Sequence, residues 1–190
     1  MCRTASVRHR VWRTVRPPAG PERYAGPEYV TRLRRAIDAA REAGLPVIYV
    51  VVGFRPGRAE IHPRNKMFGP LARSKALPQE ARANSIHDEV APLPSEPVVT
   101  KRRVSGFAGS DLDLVLRSGG IDHLVLAGIA TSGVVLSTLR QAADLDYGLT
   151  VLSDGCADAD PEVHRVLTEK VFPQQADVTT VGEWAAGIRG

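Results

Sequence analysis

The stretch that decides the fold is His123-Leu124-Val125-Leu126-Ala127-Gly128-Ile129-Ala130-Thr131-Ser132-Gly133-Val134-Val135. Its first six residues are apolar beyond His123, as in a strand buried on both faces. Thr131 or Ser132 then suits the N-cap of a helix carrying Val135, Leu139, Ala142 and Ala143, with Gly148 closing it. Similar units lie on either side. Leu45–Val52 is a continuous β-branched run that follows a helical pattern through Val30, Leu33, Ile37 and Ala40, with Pro27 at its first position and Gly44 at its end. Val98–Lys101 reads as a short strand, followed by a capping-box pattern from Ser110 to Asp113 and a helix ending at Gly119-Gly120. Leu149–Leu152 and Val178–Val181 read as further strands. Asp160-Pro161 opens a helix between them, and a last short helix is predicted over Glu183–Ile188. Strands alternating with helices predict an α/β three-layer sandwich, a mainly parallel sheet with helices on both faces. Residues 53–96, rich in Pro, Arg and Ser, read as long surface excursions.

The 190 residues suit one domain. No apolar run approaches the roughly 18 residues of a membrane span. The net charge of +4 is local: Arg3, Arg8, Arg10, Arg13 and Arg16 lie in the first twenty residues with no acid among them. Without them the chain has 20 basic and 21 acidic residues, a net of −1. A nearly neutral body argues against a nucleic-acid partner. Two distant cysteines, Cys2 and Cys156, form no disulfide framework and suit a reducing cytoplasm. The five histidines have no metal-ligand spacing, and no cofactor motif is present, so neither metal nor cofactor is expected.

In parallel sheets ligands sit beyond the carboxyl ends of the strands. Lys101 ends a strand there, where a water-poor amine stabilises a developing anion; the other reading is a surface lysine in the run Lys101-Arg102-Arg103. Residues Gly128–Val135 join strand to helix, and N–H groups at a helix start hold anions. Ser132 has no base beside it in sequence, so capping is its simpler role. Asp158 and Asp160 read as capping carboxylates, and Cys156, placed after a strand, as an inert buried thiol.

Together, Val98–Lys101 with Ser105-Gly106-Phe107 and Ser110-Asp111-Leu112, Leu126–Thr131 leading into Ser137-Thr138, and Asp154-Gly155-Cys156-Ala157 ahead of Pro161-Glu162-Val163-His164 resemble the isochorismatase-like superfamily, the cysteine-hydrolase or nicotinamidase-like group. The resemblance runs from about Glu22 to the C-terminus. It implies a homodimer or homotetramer and a hydrolase using an Asp on the first strand, a Lys, and a Cys at a helix start. It also implies a non-proline cis peptide, by position Ile129–Ala130. Lys101 matches the family Lys. The nucleophile position falls on Val134, which cannot attack a substrate. No acid precedes Glu22, so the Asp has no counterpart. True isochorismatases also lack the Cys, because vinyl-ether cleavage uses an acid and water.

The resemblance therefore implies a hydrolase of a small amide, ester or vinyl ether, acting through Lys101 and the turn Ile129, Ala130, Ser132, Gly133 and Val134, with Phe54 and Phe107 lining the pocket. The other implication is a catalytically inactive relative that binds a small molecule or a partner through the same pocket. Residues 1–21 are set apart from the domain over 22–190: their arginines and Pro17-Pro18-Ala19-Gly20-Pro21 suggest a sequence read in the wrong frame or from a wrong start. A central strand is then expected to be aberrant or missing. Val7–Val15 is the stand-in, at the cost of burying charge between two layers.

Overall fold

The computed structural model describes residues 11–14, 26, 28–70 and 86–188. Among these residues six parallel strands form one sheet: β1 (Val11–Thr14), β2 (Val47–Val52), β3 (Val98–Lys101), β4 (His123–Ile129), β5 (Gly148–Ala157) and β6 (Asp177–Thr179). Their order is β3-β2-β1-β4-β5-β6. The chain therefore steps outward from β1 to β3, then returns to the other side of β1. The strand order reverses between β1 and β4, and it is at the carboxyl ends of strands at such a reversal that parallel sheets bind ligands.

The helices are α1 (Tyr29–Glu42), α2 (Leu112–Ser118), α3 (Leu136–Ala143), α4 (Pro161–Val166) and α5 (Val181–Gly187). They cover both faces. Alternation along β2 sends Val47 and Tyr49 to one side, where they pack with Tyr29, Leu33, Ile37 and Ala40 of α1 and Trp184 of α5. Ile48 and Val50 go to the other, with Leu112 and Leu116 of α2 and Leu139 and Ala142 of α3. Two apolar clusters, one on each side of the sheet, make the three layers anticipated from the alternation of strands and helices.

The central strand is short but present. Val11–Thr14 pairs in parallel register with Val47–Val50 of β2 and with Val125–Gly128 of β4, so both inner edges of those strands are satisfied there. The expectations about Cys2, Pro27 and the reading of residues 1–10 and 15–25 fall outside the described residues.

Several local expectations give way. No Ser110–Asp113 capping box forms: Ser110 Oγ accepts from Leu112 N–H at 3.2 Å, while Asp113 pairs with Arg117 and Tyr147. Neither Thr131 nor Ser132 caps the turn that follows β4, and the helix ends at Ala143 rather than at Gly148, which begins β5. The strand predicted over Leu149–Leu152 runs on to Ala157, so Cys156 lies inside it, not after it. A register shift makes this possible, with Leu126 opposite Val151 but Gly128 opposite Cys156. Gly155 lies within that extra length; a Cβ there would lie 3.1 Å from the Leu152 Cβ. Tyr29 OH and Arg32 Nε of α1 donate to the Gly155 and Asp154 carbonyls and brace the distorted segment. Asp160 caps α4 as anticipated, accepting from the Glu162 and Val163 N–H groups.

Candidate active site

The site grows from the carboxyl ends of β4 and β3. β4 delivers the chain through a cis Ile129–Ala130 peptide into a wide turn, Thr131–Val135, that continues as α3. Three elements hold this turn. Asp158, buried just beyond β5, accepts from Ser132 N–H at 2.7 Å and from Ala159 N–H at 2.9 Å. The fully buried Thr131 hydroxyl is bonded to His164 Nδ1 of α4 at 2.8 Å. The Ala130 carbonyl accepts from the Gly133 and Val135 N–H groups. Burial lowers the His164 pKa against the opposing pull of Asp158. Sequence reasoning assigned no role to His164 and read Asp158 as a local cap; it is a cap, but for a turn 26 residues upstream. The sequence signal was the carboxylate-rich strand end itself, Asp154 to Asp160.

Three N–H groups of the turn are thus engaged within the fold. Lys101, at the end of β3, is the candidate side chain for holding negative charge. It alternates with Thr100 along β3 and shares the inward face of Val99. At 6% exposure it is no surface lysine. Its Nζ donates to the Arg103 carbonyl at 2.7 Å, and burial pushes its pKa down to about 8.

Lys101 and Val134 do not stand on neighbouring strands. β2 and β1 lie between β3 and β4, a span of roughly 14 Å at about 4.8 Å per strand. The segment after β3 closes much of that span. Gly106 N–H donates to the buried Thr138 Oγ1 of α3 at 2.8 Å. Phe107 packs in the same cluster as Val99, Val134 and Val135, its ring 6.0 Å from that of Tyr147. Lys101, Phe107 and Val134 therefore occupy one face of the sheet. Ile129 packs on the opposite face with Ala130 beside it, and Ser132 and Gly133 complete the turn. Phe54, half-buried after β2, meets Phe68 edge to face at 5.5 Å, so its ring has a partner in its own loop. Among the described residues no group of His, Cys, Asp or Glu could hold a metal ion. Cys156 is buried among apolar side chains on the far side of β4; burial pushes its thiol up to about 12.

Comparison with known proteins gives this arrangement a context. An isochorismatase domain model matches residues 10–183, a span that includes β1. Ureidoacrylate amidohydrolase RutB of Stutzerimonas stutzeri is 34% identical over 174 residues, covering 84% of this chain. The chain spans 66% of that relative's length, just under two thirds. The solved N-carbamoylsarcosine amidase of Thermoplasma acidophilum is 25% identical with a TM-score of 0.70, covering 92% of this chain and 96% of that one. An isochorismatase family protein of Desulfovibrio vulgaris shares the fold, with a TM-score of 0.81 at 20% identity over 97% of this chain and 100% of that one. A parallel sheet reversing at β1 and β4, a family model matched from β1 to α5, and a relative 34% identical lead to one conclusion: this chain belongs to the isochorismatase family.

Proposed function

We propose that this chain hydrolyses a small amide, ester or vinyl ether at the carboxyl end of its sheet, with water and not a thiol as the attacking group. The observation that carries the reading is Lys101: a buried amine at a strand end, on the same face as Phe107 and Val134, with no carboxylate neutralising it among the described residues. A cation held in a dry site is worth most where negative charge develops, as on the oxygen of a carbonyl under attack. An amide is favoured by the names of the amidohydrolase and amidase relatives. Phe54 and Phe107 would wall the pocket, and the turn Ser132, Gly133 and Val134 would form its floor, with the Ile129–Ala130 backbone leading into it from the opposite face. Val134 stands where the family resemblance puts a thiol, so no covalent thioester forms.

A second reading has its own support. Val134 is 7% exposed within an apolar cluster, and no acid precedes Glu22. A protein so equipped would bind a small molecule, or a partner, without turning it over. A panel of nicotinamide, simple amides, a ureido acid and isochorismate separates the two. Turnover that falls by about a hundredfold or more in Lys101→Ala supports hydrolysis. Ligand-dependent thermal shifts with no turnover support the binding reading. Both readings place the protein in the cytoplasm as a homodimer or homotetramer. Light scattering giving a 20.5 kDa species would remove the oligomer.

A further inference from the structure

On the other face of β3, away from Lys101, lies a cavity of about 810 Å3 lined by Arg55, Glu60, Thr100, Arg102, Arg103 and Ser110. Its volume is that of a small-molecule site. Its charges do not balance. The Glu60 carboxylate serves both Arg55, at 3.8 Å, and Arg102, at 3.6 Å. Arg103 has no carboxylate partner among the described residues: its guanidinium donates to the Arg102 carbonyl at 2.7 Å and to the Glu60 carbonyl. Arg102 is likewise fixed by the Gly53 carbonyl at 2.8 Å. Carbonyls orient a guanidinium without cancelling its charge, so these forks are pre-organised and still positive. Among the described residues, three guanidiniums face Glu60 and the exposed Asp111 at the rim, which leaves one positive charge over.

We infer that this cavity is a binding site for a small monocarboxylate, separate from the face that carries Lys101. A planar carboxylate suits the guanidinium forks, and the Thr100 and Ser110 hydroxyls offer further donors. A phosphate dianion would exceed the single free charge and meet Glu60.

The test is amide NMR on the full chain at fixed ionic strength, with propionate, its uncharged isostere propionamide, and inorganic phosphate as probes. Propionate should shift the amides of residues 102–111 saturably, and propionamide should not. Arg103→Gln should weaken propionate about tenfold, the scale of one lost charged contact. Because Arg103 also ties down the Glu60 carbonyl, Arg55→Gln serves as the second variant: its side chain is 67% exposed, and it should weaken binding a few-fold with the fold intact. The inference is overturned if propionamide shifts the same amides equally, if phosphate saturates where propionate does not, or if both variants bind propionate as the unaltered chain does. The readout needs no turnover, so it stands apart from the hydrolysis assay.

Discussion

The turn after β4 and the end of β3 are both strand termini rich in polar groups, yet they are finished differently. At the turn the polar groups close on the backbone and on each other: Asp158 on two N–H groups, Thr131 on His164. At the end of β3 two cations close on neutral carbonyls, Lys101 on that of Arg103 and Arg103 on those of Arg102 and Glu60. The first pattern consumes charge to fix a backbone shape. The second fixes side chains and leaves their charge available. A buried cation without a carboxylate bears an uncompensated desolvation penalty, which an anionic ligand would relieve. The turn is the frame, and the β3 end is where the proposed chemistry would lie.

The largest effect that breaks this contrast comes from Asp158→Ala. The substitution strips a buried charged acceptor from Ser132 and Ala159 and leaves their N–H groups without it, which should destabilise the chain by about 3 kcal/mol in urea unfolding. Asp158→Asn keeps one carbonyl acceptor and should recover part of the loss. A change below about 0.5 kcal/mol would place the turn among ordinary surface loops and remove the distinction.

That contrast was only half visible in the sequence. The sheet was legible because Val47–Val52 and His123–Ile129 are apolar on both faces, a pattern that few other elements produce. Lys101 was legible as a strand-end residue. Its burial stays open in the sequence, because a basic run looks solvated until the period of two sends Lys101 inward and Arg102 to the opposite face. The partners of the turn were hidden by distance along the chain, 26 residues from Ser132 to Asp158 and 33 from Thr131 to His164. Thr131, Ser132 and Asp158 also match local helix-capping patterns that the structure does not use. Cys156 was placed beyond its strand because nothing local announces that β5 continues through a register shift past Gly155. The separation of Lys101 from the turn was hidden as well, because the short, arginine-bearing Val11–Thr14 does not announce itself as a central strand; β1 and β2 stand between them.

A smaller effect, of opposite sign, sharpens the contrast. If the Lys101 ammonium is held for chemistry at a cost to the fold, Lys101→Met should stabilise the protein at neutral pH. Burial lowers the Lys101 pKa from 10.5 to about 8. Below about pH 8 lysine is charged in both the folded and the unfolded chain, and the penalty of burying that charge is present in full. Between about pH 8 and 10.5 the unfolded chain binds the extra proton, so stability rises with pH as the penalty fades. The gross shift corresponds to about 3 kcal/mol. The bond to the Arg103 carbonyl is lost in the variant, which reduces the expected gain to about 1–2 kcal/mol at pH 7. The advantage of Met over Lys should shrink steadily from pH 8 to 10. A variant less stable than the parent at pH 7 would mean that the amine belongs to the frame.

The smallest effect concerns the thiol that remains. Cys156 has its Sγ 3.9 Å from the Leu126 carbonyl and is sealed in the cluster that also holds Val134. Burial pushes its thiol up to about 12, so at pH 8 the thiolate is scarcer than in a free cysteine by on the order of 10³-fold. Iodoacetamide should leave Cys156 unmodified in the native chain over hours and label it fully in denaturant, with peptide mass spectrometry as the readout. Whatever turnover the chain shows should be unchanged after native treatment. Labelling of Cys156 at the rate of a free thiol would show the turn region opening to solvent under native conditions. The tightly closed half of the molecule would then be as accessible to chemistry as the charged half, and the division of labour between them would fail.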